Sequence, residues 1–484
     1  MPAAAPPSMV TESETTAVDG EIYHYLPGFG NELSSEVIPG ALPIGRNNPK
    51  NVPYGLYTEQ LSGTSFTTPR ATNRRTWLYR IQPSVANAAH ESTTRPLGHC
   101  LGGGSPDECV GGIVDPLRWD RPAAAVDNDT DATTDFIDAL QLTAAAQSGP
   151  KHGLSIYQYR GRLALSPRHL MNTDGDLVLV PSHGMLRVET ELGRLTIAPR
   201  EIGVIPRGIV FRMTCDDTHD AGGYVLEVDS PTGLQLPELG PIGANGLANP
   251  RDFLHPVAWS SSHNKDTYNV SSLLITKSSS QLYSRPLSHS PYNVIAWHGN
   301  YLPYKYNLHR FCPANAVVYD HLDPSIYTVL TCPSGTSDGT ALVDLVVFPP
   351  TRVLATDQDT LRPPWFHRNM PMSEYMGLID GSYDAKQGGG FVPGGASLHN
   401  ACVPHGPDAL TYARAVADPC EQPTRLHGGM AFMIETYLPL RVHPHVLARA
   451  QPEYRACWEG LEDTFTGWDA LEKLEGNSNY RRET

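Results

Sequence analysis

No stretch of this 484-residue chain approaches the roughly 20 consecutive apolar residues a helix needs to cross a bilayer, so no membrane-spanning helix is expected. Basic runs are also missing. The 36 Lys and Arg residues stand against 51 Asp and Glu, a formal net charge of −15, which excludes nucleic acid and anionic membrane surfaces as expected partners. The eight cysteines (Cys100, Cys109, Cys215, Cys312, Cys332, Cys402, Cys420 and Cys457) include no Cys-x-x-Cys pair. They read as free thiols in a reducing compartment. The opening MPAAAPPSMVTESETTAVDG has no apolar core of signal-peptide length and is acidic rather than Arg-rich. Residues 1–20 are therefore expected to be a disordered lead-in and the protein to be cytoplasmic.

Glycine and proline are plentiful, at 43 each. That argues against a mainly helical protein and for many short strands joined by turns. Large all-β units reach about 250 residues, so two units are expected. The text from Glu21 to Ser84 has few periodic runs and is expected to wrap a sheet rather than form one. GHCLGGGSPDECVGG and PAAAVDNDTDATTD, within residues 85–150, have loop compositions. A first strand set follows: DLVLVP (176–181), MLRVETE (185–191), RLTIAP (194–199), IGVIPRGIVFRM (202–213) and GYVLEVD (223–229). NAVVYD (315–320), IYTVLT (326–331), LVDLVVFPP (342–350) and AFMIETYL (431–438) make a second. Such spacing predicts sandwich or barrel units, divided as residues 21–290 and 291–484. The last clear element is a helix opened by Pro452, with Tyr454, Cys457, Trp458, Leu461 and Phe465 on one face and a polar tail after Asp469.

The chemistry concentrates in WFHRNMPMSEYMGLIDGSYDAKQGGGFVPGGASLHNACVPHGPDA, where His367, Glu374, His399 and His405 are candidate ligands. Two imidazoles and one carboxylate with open positions opposite form the ligand set of non-haem Fe(II) enzymes that activate O2. Gly, Pro, Asn and Ser around these histidines build loops and strand ends, where sites usually lie. With 19 histidines in the chain, a buried and satisfied His is the competing reading for each. Cys402, between His399 and His405, is a weaker candidate ligand.

GDLVLVPSHGMLRVETELGRLTIAPREIGVIPRGIVF resembles the cupin pattern of a hairpin leading to a Pro-x-Gly turn, here Pro206–Gly208. A metal-binding cupin would carry two histidines near the hairpin and another after the turn. Only His183 is near, and Phe211 stands at the later position, so this half is read as a barrel without metal. Longer phrases identify the whole chain. YLPGFGNELSSE (25–36), PYGLYTEQLSGTSFT (53–67), NRRTWLYRIQPS (73–84), ELGPIGANGLANPRDF (238–253), NVIAWHGNYLPYKYNL (293–308), DHLDPSIYTVLT (320–331) and PHGPDA (404–409) resemble the homogentisate 1,2-dioxygenases over nearly its full length.

That resemblance implies a mainly β, two-part, cupin-like jelly-roll architecture with few short helices. It implies an Fe(II) enzyme that opens the ring of homogentisate (2,5-dihydroxyphenylacetate) with O2, giving maleylacetoacetate in tyrosine and phenylalanine catabolism. A hexamer built as a dimer of trimers is implied too. By position, the iron ligands fall on His367, Glu374 and His405, the proton acceptor on His298 in AWHGN, and a substrate contact on Tyr383 in DGSYDAKQGG. His399 falls on a pocket histidine outside the ligand set, and His405 also touches substrate. Two departures stand out. HRNMPMSE puts six residues between His367 and Glu374 where the family has five, and Trp365–Phe366 replaces a Tyr-Tyr pair. A single extra residue can shift the carboxylate by up to about 3.5 Å unless the loop bulges. Arg368 and Asn369 are positioned to orient the first ligand or to meet a carboxylate. The alternatives are a diverged dioxygenase acting on another hydroquinone acid of the gentisate kind, and a non-enzymatic cupin storage or binding protein. A substrate panel separates the first, and metal analysis the second.

Overall fold

The computed structural model describes residues 14–476, apart from 64–65, 87–93, 124–132, 216–219, 239–246, 315, 337–338, 351–352, 384, 387–389 and 427. Strands dominate, gathered in five sheets with a few short helices. The central one has ten strands. Its order is Glu14–Val18, Glu21–Pro27, Phe253–Pro256, Tyr304–Asn307, Glu201–Ile205, Asp176–His183, Ala221–Asp229, His152–Gly161, Leu140–Gly149 and Arg441–Val442.

Both faces of this sheet are covered, and the strand Asp176–His183 explains how. Leu177 and Leu179 enter a core shared with Leu186, Val188, Phe211 and Ile275 of a seven-stranded sheet. Val178 and Val180, on the other face, enter a core shared with Leu345, Tyr375 and Phe432 of a six-stranded sheet. A strand buried on both sides reads as an apolar run rather than an alternation, as DLVLV does.

The six-stranded sheet runs Thr328–Pro333, Ala341–Phe348, Met430–Thr436, Ser373–Asp380, Ala396–His399 and Leu117–Trp119. Its outer face carries Val346, Phe348, Met376, Leu378, Ala431 and Met433. Period-2 alternation therefore sends Tyr375 and Ile434 into the shared core, and Glu374, Met376, Met433 and Glu435 outward. That outward face is where the site lies.

Several expectations are corrected. Residues 14–20, expected within the lead-in, form a hairpin: Glu14–Val18 pairs with Glu21–Pro27 around Asp19 and Gly20, both at positive φ. An Asp-Gly pair between two strands is the chemistry of such a turn; residues 1–13 lie outside the described residues. The Glu21–Ser84 segment does not merely wrap a sheet. Leu33–Glu36, Tyr57–Ser62 and Arg75–Arg80 join Val294–Gly299 in a four-stranded sheet, whose strand Val294–Gly299 lies too far along the chain for local periodicity to reveal. Beyond the expected division at 290/291, Val294–Gly299 pairs with Leu33–Glu36 and Arg75–Arg80, and Tyr304–Asn307 pairs with Glu201–Ile205. The terminal helix is a 3-10 segment, Pro452–Trp458, that leaves Leu461 and Phe465 exposed. A separate helix, Trp468–Gly476, occupies part of the expected polar tail. All eight cysteines are free, and among the described residues no helix is long and apolar enough to cross a membrane.

Candidate metal centre and substrate cavity

Three different local structures deliver the candidate ligands. Glu374 is the second residue of Ser373–Asp380, an inner strand of the six-stranded sheet, and its cross-strand neighbours are His399 and Glu435. His367 and His405 sit on loops clasped together by reciprocal backbone hydrogen bonds, His367 N to His405 O at 2.9 Å and His405 N to His367 O at 3.0 Å. The clasp makes their relative position a property of the backbone.

The side chains converge. His405 Nε2 lies 2.9 Å from Glu374 Oε2, and His367 Nε2 lies 3.8 Å from Glu374 Oε1. One ligand atom from each of His367, Glu374 and His405 lies within 4.8 Å of the other two, so the trio could hold a metal ion. Both ligand imidazoles point their other nitrogen at a backbone carbonyl: His367 Nδ1 meets Trp365 O, and His405 Nδ1 meets Val403 O, each at 2.9 Å. A carbonyl only accepts, so Nδ1 donates there, and Nε2 is the nitrogen each ring turns to Glu374. Oxygen and imidazole donors of this kind suit a divalent first-row metal.

Electrostatics agree with the geometry. Burial alone would raise the carboxyl of Glu374, yet hydrogen bonds from His367, His399 and His405 hold it well below the usual range. Burial disfavours charge on His367 as well, but the Glu374 carboxylate and the Trp365 carbonyl raise its pKa. An anion that gathers three imidazole donors at one point is where a dication replaces protons.

His399 occupies the same wall with its chemistry differently committed. Its ring stacks on His405 at 4.1 Å and 4°, and its Nδ1 lies 3.8 Å from Glu374 Oε2. Its Nε2 is hydrogen-bonded to Tyr454 Oη at 2.8 Å. Burial and the neighbouring Lys386 ammonium hold it neutral, well below the ordinary histidine range.

The residues between His367 and the strand that carries Glu374 form a loop that turns outward. Met370 is exposed, Cys402 N holds Asn369 O at 2.8 Å, and the Asn369 amide donates to Glu374 Oε1 at 2.5 Å. Arg368 points to solvent, so of the two orienting candidates only Asn369 reaches the carboxylate. Cys402 is exposed at positive φ and is not part of the trio.

In front of the trio is a cavity of about 530 Å³. His367, Glu374, His399, His405 and Tyr383 line it, with Trp365, Phe348, Met376 and Met433 as apolar wall. Tyr383 stands edge-on to Phe348 and Phe391. Sequence reasoning missed Lys386, Glu435 and Tyr454. Burial, with Glu374, Asp344 and Asp323 nearby, pushes the Glu435 carboxyl up to about 8. Its one signal was a carboxylate interrupting the apolar run AFMIETYL. His298 is elsewhere. It lies in Val294–Gly299 opposite Ser34 and Trp77, its ring stacks against Tyr79, and burial lowers its pKa. It is not among the residues lining this cavity.

The comparisons fit this geometry. The homogentisate 1,2-dioxygenase N-terminal domain matches residues 24–308, and the C-terminal domain of the same family matches residues 309–465. A homogentisate 1,2-dioxygenase from Pseudomonas fluorescens (strain Pf0-1) is 49% identical over 91% of this chain and 97% of its own length. One from Pseudomonas savastanoi pv. phaseolicola is 47% identical over 91% and 96%, and one from Oryza sativa subsp. japonica 44% over 96% and 97%. A solved salicylate 1,2-dioxygenase from Pseudaminobacter salicylatoxidans aligns over 63% of this chain and 81% of its own at 8% identity. Its TM-score of 0.27 is too low to carry an argument. The chain belongs to the homogentisate 1,2-dioxygenase family.

Proposed function

From that membership we propose that the chain opens the aromatic ring of homogentisate with O2, giving maleylacetoacetate in tyrosine and phenylalanine breakdown, with Fe(II) held by His367, Glu374 and His405. The observation that carries the reading is the convergence of two Nε2 atoms and one carboxylate on the wall of an aromatic-sized cavity. Held by His367, Glu374 and His405, Fe(II) would supply open coordination positions and a path for electron density from the ring to O2.

The chain's own residues do the rest. The carbonyls of Trp365 and Val403 fix the tautomers of the two ligand histidines. Asn369 holds one oxygen of Glu374 and so orients the other. Met376, Met433 and Phe348 exclude water from the ring's position. Tyr383 hydrogen-bonds the substrate, and His399, anchored through Nε2 on Tyr454, presents a neutral imidazole edge beside it. His298 does not border the cavity of its own chain. Its role as proton acceptor therefore requires a second copy to bring it there, and is proposed together with the hexamer of trimers in the cytoplasm. A gentisate-type substrate or a storage role is not favoured by family membership.

Iron content tests the ligand assignment. Protein prepared anaerobically with Fe(II) should bind one equivalent. Glu374→Ala should lose iron and O2 uptake together, whereas His399→Ala should keep most of its iron. Full iron and activity in Glu374→Ala would refute the assignment.

A further inference from the structure

The cavity wall is strongly acidic. Asp323, Asp344, Glu374 and Glu435 line it, against two cations, Arg362 and Lys386. Lys386 is the deeper of the two in its contacts. Its ammonium donates to Tyr454 Oη, lies 3.4 Å from His399 Nε2, and sits 5.0 Å and 5.5 Å from the ring centres of Tyr454 and Trp458. None of these partners is an anion, and among the described residues no carboxylate forms an ion pair with it. Burial pushes its pKa down to about 8, a loss that the charges of Glu374 and Asp408, neither in ion-pair contact with it, offset only in part.

We propose that Lys386 is the anchor for the substrate's carboxylate and so selects arylacetates at this site; the inference rests on the homogentisate reading above. An ammonium has three donors. Two are directed at Tyr454 and His399, which leaves a third for a ligand in the cavity. The position suits the chemistry. One imidazole, that of His399, separates Lys386 at Nε2 from Glu374 at Nδ1. A molecule with a ring oxygen at the metal trio and an acetate on the adjacent ring carbon extends its carboxylate sideways along that wall. The bound carboxylate supplies a counter-ion in direct contact, and a neutral hydroquinone does not. A hydrogen-bonded charge pair of this kind corresponds to about 10- to 100-fold in affinity.

The test compares homogentisate with methylhydroquinone, which lacks only the carboxylate, by anaerobic titration of the Fe(II) enzyme. The wild type should prefer homogentisate by about 10- to 100-fold. In Lys386→Met that ratio should fall close to one, with methylhydroquinone affinity and iron content unchanged, while Lys386→Arg and Arg362→Met should keep most of the preference. A second measurement needs no variant: homogentisate should shield Lys386 of the wild type from reductive methylation, followed by mass spectrometry, and methylhydroquinone should not. A wild type that consumes O2 with homogentisate while Lys386→Met keeps the ratio, or Lys386 is not shielded, overturns the anchor alone. A wild type inert to homogentisate overturns the substrate reading with it.

Discussion

Asn369 shows what one side chain contributes here. Its amide holds Glu374 Oε1 across the loop that joins His367 to the strand. Asn369→Ala should weaken Fe(II) binding about 10- to 100-fold, the usual range for a partner of a metal ligand, measured by competition with a chelator; unchanged affinity would make the contact incidental. The clustering of His367, Glu374 and His405 was legible because few residue types bind metals and all three fall in one glycine-rich stretch. The choice between His399 and His405 was not legible from spacing, since it depends on Tyr454, 55 residues further along, occupying His399 Nε2. Lys386 was not legible either: a lysine in a glycine-rich turn reads as a solvated one. Away from the site, burial and the Arg212 guanidinium push His169 down to about 3. It stays neutral in the fold but protonates near 6.5 when unfolded, so its contribution is intact above pH 6.5 and is lost as pH falls toward 3. His169→Gln should therefore flatten the acid side of the Tm–pH profile; a parallel profile would contradict this.

At the scale of elements, the strand Ser373–Asp380 does the positioning. Its alternation was readable as a pattern, but not which face met which sheet, because that is decided by strands more than 100 residues distant. The two strand sets were found for the same reason in reverse: each strand is short, apolar and bounded by Gly or Pro. The strand ends in Gly381, at φ +67°, where a Cβ would run into the carbonyl of Gly428. This turn leads to Tyr383 and Lys386. Gly381→Ala should lower Tm and weaken homogentisate binding while leaving the Fe(II) content close to one, since the ligand end of the strand is seven residues away. Loss of iron with unchanged substrate affinity would show that the turn supports the metal trio instead.

On the scale of the whole molecule, the two halves interlock. Leu117–Trp119 completes the C-terminal sheet, and Arg441–Val442 completes the central one. The interlock was invisible in the sequence, because those strands are two or three residues long. The remote position of His298 makes assembly part of the proposed function. Light scattering should report several times 52.8 kDa, and mixed oligomers of His298→Asn with Glu374→Ala chains should regain activity that neither variant has alone; a clean, active monomer would contradict both expectations. The central claim, Fe(II)-dependent ring opening of homogentisate, is tested most directly by oxygen uptake. Metal-free protein reconstituted anaerobically with one equivalent of Fe(II) should consume one O2 per homogentisate, and should do so far faster than with gentisate. No uptake with homogentisate by protein that has taken up its Fe(II) would contradict the account.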